Sequence, residues 1–205
     1  MNYNLDQNAA KQADNINARI EQKGRYLGMI TRAESITSKT GTQGVDMSFK
    51  SDNGESADYL TLWTHNKDGK QLMGFNMLMA IMTCLRVKSL NAEAGEIEKY
   101  NSDTKKKEKV TANLYKELMN KKITFLMYME EYAKIAGGTA WKPVIFAVCD
   151  KDGFTASEIF AKATSANTVE KMIAALKDRP LKIATIAPRQ ESENPGNGFD
   201  DDFNF

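Results

Sequence analysis

The stretch from residue 24 to residue 75 most constrains what this chain can fold into. Short segments rich in β-branched, aromatic and large apolar residues alternate there with turn-forming residues, including Asn-Gly and Asp-Gly pairs. Such alternation is the strongest short-range signal for β-hairpins. The stretch therefore predicts a three-stranded antiparallel meander, with strands over 25–36, 45–50 and 57–64 and turns over 38–44, 52–54 and 66–69.

Alternation within the strands predicts which face each side chain occupies. Side chains along a strand point to opposite faces in turn. Val45, Met47 and Phe49 share one face of the second strand and are expected in the core. In the third strand, Leu60 and Leu62 are expected on one face, and Tyr59, Thr61 and Trp63 on the other. Gly28, inside the first strand, predicts a bulge or a bend there.

The rest of the chain extends this meander. An apolar helical stripe over 76–87 predicts a buried helix, and a polar, lysine-rich stretch at about 91–110 predicts a mobile, exposed insertion. Residues 121–133 read as strand or helix, and their alternation favours a strand that pairs with 141–149. A capping-box pattern at 155–158 predicts a helix over 156–164, followed by another over 168–177. The expected fold is mainly β with added helices, built on five strands.

The two ends of the chain differ in composition from the middle. Residues 1–22 allow either a short helix over about 9–22 or a flexible arm. The last fifteen residues carry five acidic residues and no base, so the remainder holds 28 basic and 22 acidic residues. The expected organisation is an arm over 1–22, a β domain over 23–154, helices over 155–180 and a disordered acidic tail over 188–205.

Several classes of function find little support in the sequence. His65 is the only histidine, and no P-loop, dinucleotide-binding or serine-hydrolase motif is present. Cys84 and Cys149 lie in apolar runs and are expected as buried thiols. We expect a protein without enzymatic activity, metal or cofactor. No secretory leader or membrane span is apparent, so a cytoplasmic location and no membrane partner are expected.

The positive signal is a set of aromatic residues beside basic residues on strands and hairpin turns. Aromatic rings stack on bases at roughly 1–3 kcal/mol each, and basic side chains follow the phosphate backbone. This combination predicts binding of single-stranded nucleic acid with little sequence preference. The candidate residues are Tyr26, Tyr59, Trp63, Trp141, Arg25, Arg32, Lys39, Lys50, Lys67, Lys70 and Lys142.

The tail is a second candidate site. It ends in three aspartates flanked by aromatic residues, the pattern of a docking peptide whose ring enters an apolar pocket while its charges steer association. The same charge could compete with DNA for the groove. The candidate residues are Asp200, Asp201, Asp202, Phe203 and Phe205.

Two parts of the chain together resemble single-stranded DNA-binding proteins of bacteriophages. The run GRYLGMITRAESITSKTGTQGVDMSFKSDNGESADYLTLWTHNKDGKQLMGFNMLMAIMTCLRV is similar to a phage family of this kind. Bacterial proteins of this class typically end Asp-Asp-Asp-Ile-Pro-Phe, and this chain ends Asp-Asp-Asp-Phe-Asn-Phe, so Phe203 and Asn204 differ.

The resemblance implies an OB-fold, a five-stranded Greek-key barrel with a helix between its third and fourth strands. It implies coating of single-stranded DNA during phage replication, recombination and repair. The tail would recruit partners such as a polymerase, helicase, primase or nuclease. The resemblance would place the protein in the host cytoplasm, and we expect a monomer or a homodimer.

Two alternatives remain open at the level of sequence. A DNA-annealing recombination protein would pair complementary strands and form rings or filaments. A protein-interaction module built on an OB-fold would bind without the steep salt dependence that phosphate neutralisation imposes.

Overall fold

The protein is mainly β, with seven antiparallel strands and a few short helices. The computed structural model describes Leu5 and residues 18–101, 104 and 106–181, with the backbone alone at 100, 101 and 107. The strands are β1 (Gly24–Thr37), β2 (Gln43–Ser51), β3 (Ser56–His65), β4 (Glu93–Asn101), β5 (Lys106–Leu114), β6 (Lys122–Ala133) and β7 (Thr139–Asp150). The helices are α1 (Met73–Cys84), α2 (Ala156–Phe160) and α3 (Thr168–Ala175), with a 3₁₀ turn over Lys116–Leu118.

β1 is the central strand of the sheet. One edge of β1 pairs with β2, which in turn pairs with β3, so the predicted meander is confirmed. The other edge is divided: the first half of β1 pairs with β6, and Glu34 pairs with Leu114 of β5. β6 continues into β7 through the hairpin expected at 121–149.

The expectation of five strands is wrong, because two more strands lie in the segment expected to be an exposed insertion. Residues 93–101 and 106–114 form the hairpin β4–β5, paired without interruption from Glu93–Leu114 to Asn101–Lys106. Alternating charged side chains obscured its strand character. The one large apolar pair across it is Ile97 opposite Val110.

The sheet is also not a closed barrel. In the described part of the chain, β3 and β7 approach each other without pairing. Among the described residues before β1, pairing with β3 is limited to a bridge between Arg19 and Ser56. Residues 18–20 are therefore extended at the place where a helix was one expectation, and residues 1–4 and 6–17 lie outside the described residues, as do 182–205.

The main core lies between the meander, β6 and α1. Val45, Met47 and Phe49 are at most 2% exposed, as their alternation predicts, and the Phe49 ring lies 5.0 Å from that of Phe125. Gly28 has no room for a side chain, because a Cβ there would stand 2.1 Å from the carbonyl oxygen of Lys50. The register shift of β1 falls three residues later, at Thr31, and not at Gly28.

β6 is buried on both faces from Ile123 to Met129. Its second face packs with β7 and α3 in a smaller cluster of Leu126, Ala147, Cys149 and Val169. The predicted capping box at α2 is confirmed, with Thr155 and Glu158 bonded reciprocally. Hydrogen bonds from the Thr155 and Thr168 backbone and hydroxyl groups lower the pKa of Glu158 to about 2. The charged Glu158 carboxylate therefore ties α2 to α3.

The core assignment gives a stability prediction. Phe49→Ala removes a ring that is 1% exposed and should lower the free energy of unfolding by about 3–5 kcal/mol. Phe160→Ala removes a ring that is 76% exposed and should change it by less than about 0.5 kcal/mol. Chemical denaturation of both variants checks this, and equal effects would contradict the core assignment.

Candidate nucleic-acid interface

A groove of about 540 Å³ occupies the gap where β3 and β7 fail to pair. We call it the seam groove. Its walls carry Tyr59 from β3, Tyr132 from β6 and Trp141 from β7. Their exposed fractions are 73%, 41% and 47%, which is high for three large aromatic residues around one groove. Exposed aromatic clusters of this kind typically mark binding surfaces.

A β-bulge turns Tyr59 into the seam groove. Met47 and Phe49 of β2 pair with Leu60 and Ala57, so β3 holds one residue more than β2 between these pairs. Tyr59 has a φ of +59°, an uncommon conformation for a bulky residue. Ala57 and Leu60 on either side are only 3% exposed. The bulge therefore keeps Ala57 and Leu60 in the core while the tyrosine ring faces the seam groove.

Trp141 and Tyr132 both line the seam groove, although they leave opposite faces of the β6–β7 hairpin. Trp141 pairs with Glu131, and Tyr132 pairs with Ala140, close to the turn that contains Gly137 and Gly138. Both glycines have positive φ, as a tight turn requires. The seam groove lies along the edge of this hairpin, where side chains from both of its faces can reach it.

The charges around the seam groove are mixed. Arg19 and Lys142 line it, and so do Glu21 and Asp58. The Lys142 ammonium lies 3.3 Å from the carboxylate of Glu130 and 5.9 Å from the centre of the Tyr132 ring. Stacking, more than charge, is therefore the main interaction that the groove itself offers a ligand.

Other predicted bases gather at the opposite end of β3. Lys39 lies in the β1–β2 turn, while Lys67 and Lys70 lie in the turn that follows β3, and all three are exposed. The two turns touch, since a Cβ built at Gly41 would stand 3.2 Å from the Cβ of Lys67. We call these three residues the turn lysines. At about 3.3 Å per residue, the six steps from Tyr59 to His65 span roughly 20 Å.

Trp63 lies between the seam groove and the turn lysines. It is half-buried and packs over Gly44, where a Cβ would stand 2.9 Å from its indole ring. Leu60 is buried and Leu62 packs against the core, so the predicted division of faces along β3 is confirmed at these leucines. An extended ligand could run from the seam groove past Trp63 to the turn lysines.

Four other predicted residues lie away from the seam groove. Arg25 is 3.8 Å from Glu170 of α3, on the helical side of the sheet. The Tyr26 hydroxyl donates to the carbonyl of Gln22 at 2.7 Å, and burial, helped by Glu55, raises its pKa to about 12. Lys50 is exposed at the end of β2. The fourth, Arg32, belongs to an ion-pair network.

Arg32 is enclosed by acidic side chains on the sheet. Its guanidinium lies 2.8 Å from Glu34 and 2.5 Å from Asp46, and its side chain is 13% exposed. Lys99 approaches Glu34 at 2.7 Å, and the Thr61 hydroxyl donates to Asp46 at 2.6 Å. These partners give Arg32 a structural role and leave little of it for phosphate.

Sequence analysis missed Tyr132 and Arg19. A strand over 121–133, a strand over 141–149 and a Gly-Gly turn between them would have placed Tyr132 at the same end of the hairpin as Trp141, but on its other face. Arg19 carries no comparable signal, because its position depends on hydrogen bonds between residues 18–20 and Ser56.

His65, Cys84 and Cys149 do not line the seam groove. His65 contacts Phe75 edge-on at 5.3 Å, at the rim of a second groove of about 470 Å³ between the meander and α1. Among residues 18–101, 104 and 106–181, no group of three or more His, Cys, Asp or Glu side chains could hold a metal ion. Burial raises the pKa of Cys84 to about 12 and that of Cys149 to about 11, so neither is an activated thiol.

Comparison with known proteins adds no assignment. No model of a protein family matches the chain, and no curated protein matches it significantly. No helix in the described ranges is long and apolar enough to cross a membrane.

The Arg32 network gives a second prediction. Arg32→Ala leaves the carboxylates of Glu34 and Asp46 buried without their shared cation and should lower the free energy of unfolding by about 3–5 kcal/mol. Lys50→Ala, a base exposed on the neighbouring strand, should change it by less than about 0.5 kcal/mol. Urea denaturation of both variants measures the difference, and a fully stable Arg32→Ala protein would contradict the structural role.

Proposed function

We propose that this protein binds single-stranded DNA with little sequence preference and has no catalytic role of its own. The observation that carries the proposal is the clustering of Tyr59, Tyr132 and Trp141, all substantially exposed, around one groove. Bases held in a duplex cannot reach such rings, whereas unpaired bases can stack on them. Stacking on aromatic faces tolerates every base, since each has a π-face.

We further propose that the phosphates of the bound strand run along β3 to the turn lysines. Lys39, Lys67 and Lys70 would neutralise phosphates at one end of this path, and Arg19 and Lys142 would do so at the other. Because neutralised phosphates release counterions, affinity should fall steeply as the salt concentration rises.

The connectivity supports an OB-fold as the underlying architecture. The expected order is a three-stranded meander, a helix and a later hairpin that returns to pair with the first strand. In this chain the corresponding elements are β1–β2–β3, α1 and β6–β7. In this proposal the β4–β5 hairpin is an insertion, and the open seam between β3 and β7 is the departure from a closed barrel. The resemblance to phage single-stranded DNA-binding proteins points the same way.

A second candidate function is binding of an extended peptide in the same groove. Two observations favour it: Glu21 and Asp58 balance Arg19 and Lys142, and β3 and β7 present strand edges to the seam. A peptide strand could pair with such an edge. Binding of a peptide would lack the steep salt dependence expected for a nucleic acid.

The proposal predicts which tryptophan responds to DNA. Trp63→Phe leaves Trp141 as the one tryptophan, and oligo-dT should quench its fluorescence to saturation, more weakly at high salt. Trp141→Phe leaves Trp63, whose half-buried ring should be quenched less. Quenching confined to Trp63 would move the stacking site away from the seam groove.

Affinity measurements on further variants test the stacking energies. Tyr59→Ala and Trp141→Ala should each weaken oligo-dT binding about 5- to 150-fold, corresponding to 1–3 kcal/mol per lost stack. Phe160→Ala is the matched control, since it removes an exposed ring on α2 and should leave affinity unchanged. Anisotropy of a labelled oligo-dT gives the affinities, and unchanged binding in both groove variants would refute the proposal.

We also propose that Asp200–Phe205 recruits replication or recombination enzymes. These residues lie outside the described part of the chain, so the proposal depends on their sequence alone: three aspartates beside Phe203 and Phe205. The aspartates would steer the segment toward a basic rim, and the terminal ring would enter an apolar pocket.

Deleting residues 200–205 should leave oligo-dT affinity unchanged or higher, because the deletion removes only negative charge and aromatic docking groups. Replacing the three aspartates by asparagine keeps the length and separates the effect of charge from that of the rings. Anisotropy measures DNA affinity in both variants. A large loss of DNA affinity would assign the segment to the DNA site and overturn the docking role.

A further inference from the structure

The β4–β5 hairpin is a ribbon whose backbone pairs with the rest of the sheet only at its base. β4 and β5 pair along nine consecutive positions, but β5 pairs with β1 only where Leu114 meets Glu34. The rest of the ribbon extends from the body of the sheet. It plays no part in the seam groove.

Side-chain contacts hold the ribbon in a defined direction. Within the ribbon, Leu114 of β5 packs so closely on Gly95 of β4 that a Cβ at Gly95 would stand 2.8 Å from the leucine side chain. The Lys99 ammonium lies 2.7 Å from the Glu34 carboxylate of β1. The hairpin is thus held to β1 by the Leu114–Glu34 pairing at its base and by the Lys99–Glu34 ion pair farther along β4.

Both long edges of the ribbon lack a strand partner in the described part of the chain. β4 is the last strand of the sheet, so its outer edge is unpaired. β5 pairs with β4 along one edge, and its other edge pairs with β1 at Leu114 alone, so the rest of that edge is unpaired. Unpaired strand edges offer rows of backbone N–H and C=O groups to another chain.

The two edges carry opposite charge. β4 has the acids Glu93, Glu96 and Glu98 and one base, whereas β5 has the bases Lys106, Lys107 and Lys109 and one acid. Glu93 is neutralised within one copy by Lys116, at 2.9 Å, but Glu96 and Lys109 are 4.0 Å apart and their side chains are 75% and 74% exposed. These exposed charges remain open to a second chain.

We propose that the acidic β4 edge of one copy pairs with the basic β5 edge of the next copy, head to tail. Backbone hydrogen bonds would supply the contact, and opposite charges would select the edges. Pairing of β4 with β4 would set three acids against three acids, so a symmetric dimer through this edge is disfavoured. A head-to-tail contact that does not close on itself forms an open row.

This association needs no DNA. If the protein also coats single strands, which rests on the proposed function, the same contact would join neighbouring copies along the strand and make binding cooperative. Self-association and DNA binding are therefore measured separately.

The test compares two charge-reversed variants of the full chain, without DNA. E96K/E98K makes both edges basic, and K106E/K109E makes both edges acidic. Sedimentation velocity at low salt should show wild-type protein growing in mass with concentration. Each variant alone should associate at least about 10-fold more weakly than wild type, because like charges now meet at the contact. An equimolar mixture should regain wild-type association, since each variant then meets an edge of opposite charge.

A third variant controls for damage to the hairpin. The chain with all four reversals restores opposite charges across its own β4–β5 pair and should associate like wild type. A wild-type protein that stays monomeric at every concentration would overturn the inference. Failure of both the mixture and the fourfold variant to associate would do the same. Quenching of Trp141 by oligo-dT in these variants reports on the proposed function alone, so the two ideas can fail independently.

Discussion

The fold depends on how β1 shares its two edges. One edge of β1 pairs with β2 throughout. The other edge pairs first with β6 and then with β5, and the register shift at Thr31 lies between these two partners. Gly28 lets the Lys50 backbone approach so closely that no side chain fits there. Because β1 brings β2–β3 to one side and β6–β7 to the other, β3 and β7 become the strands that meet across the open seam.

The proposed site follows from that open seam. A closed barrel would join β3 to β7 by hydrogen bonds and leave no groove, whereas here the gap is lined by aromatic rings. The bulge at Tyr59 places a tyrosine in an uncommon backbone conformation while its neighbours remain in the core. Backbone conformations of this kind persist only where the surrounding structure holds them, and they concentrate at functional sites. We therefore infer that the seam binds the ligand and that Arg32, enclosed by Glu34 and Asp46, stabilises the sheet behind it.

Much of the fold was predictable from local patterns, and the rest depends on long-range contacts. Alternation at Val45, Met47 and Phe49 predicted a core face, and the capping box predicted α2, because both signals lie within a few residues. The β4–β5 ribbon was missed because its strands are mostly charged and bury only a narrow apolar strip. Tyr59 and Trp141 were predicted as binding residues from their positions on strands, but their meeting in one groove depends on a bulge and on the open seam, which the sequence does not display. Lys39 and Lys67 also meet only through tertiary packing.

The most direct test of this account is to map oligo-dT onto the protein by the changes it causes in backbone amide NMR signals. The account predicts the largest changes at Tyr59, Tyr132 and Trp141, with smaller ones along β3 toward the turn lysines. The helical face around Glu170 should change least. Changes centred on the second groove near His65, or none at all under low-salt conditions, would contradict the assignment of the seam groove as the DNA-binding site.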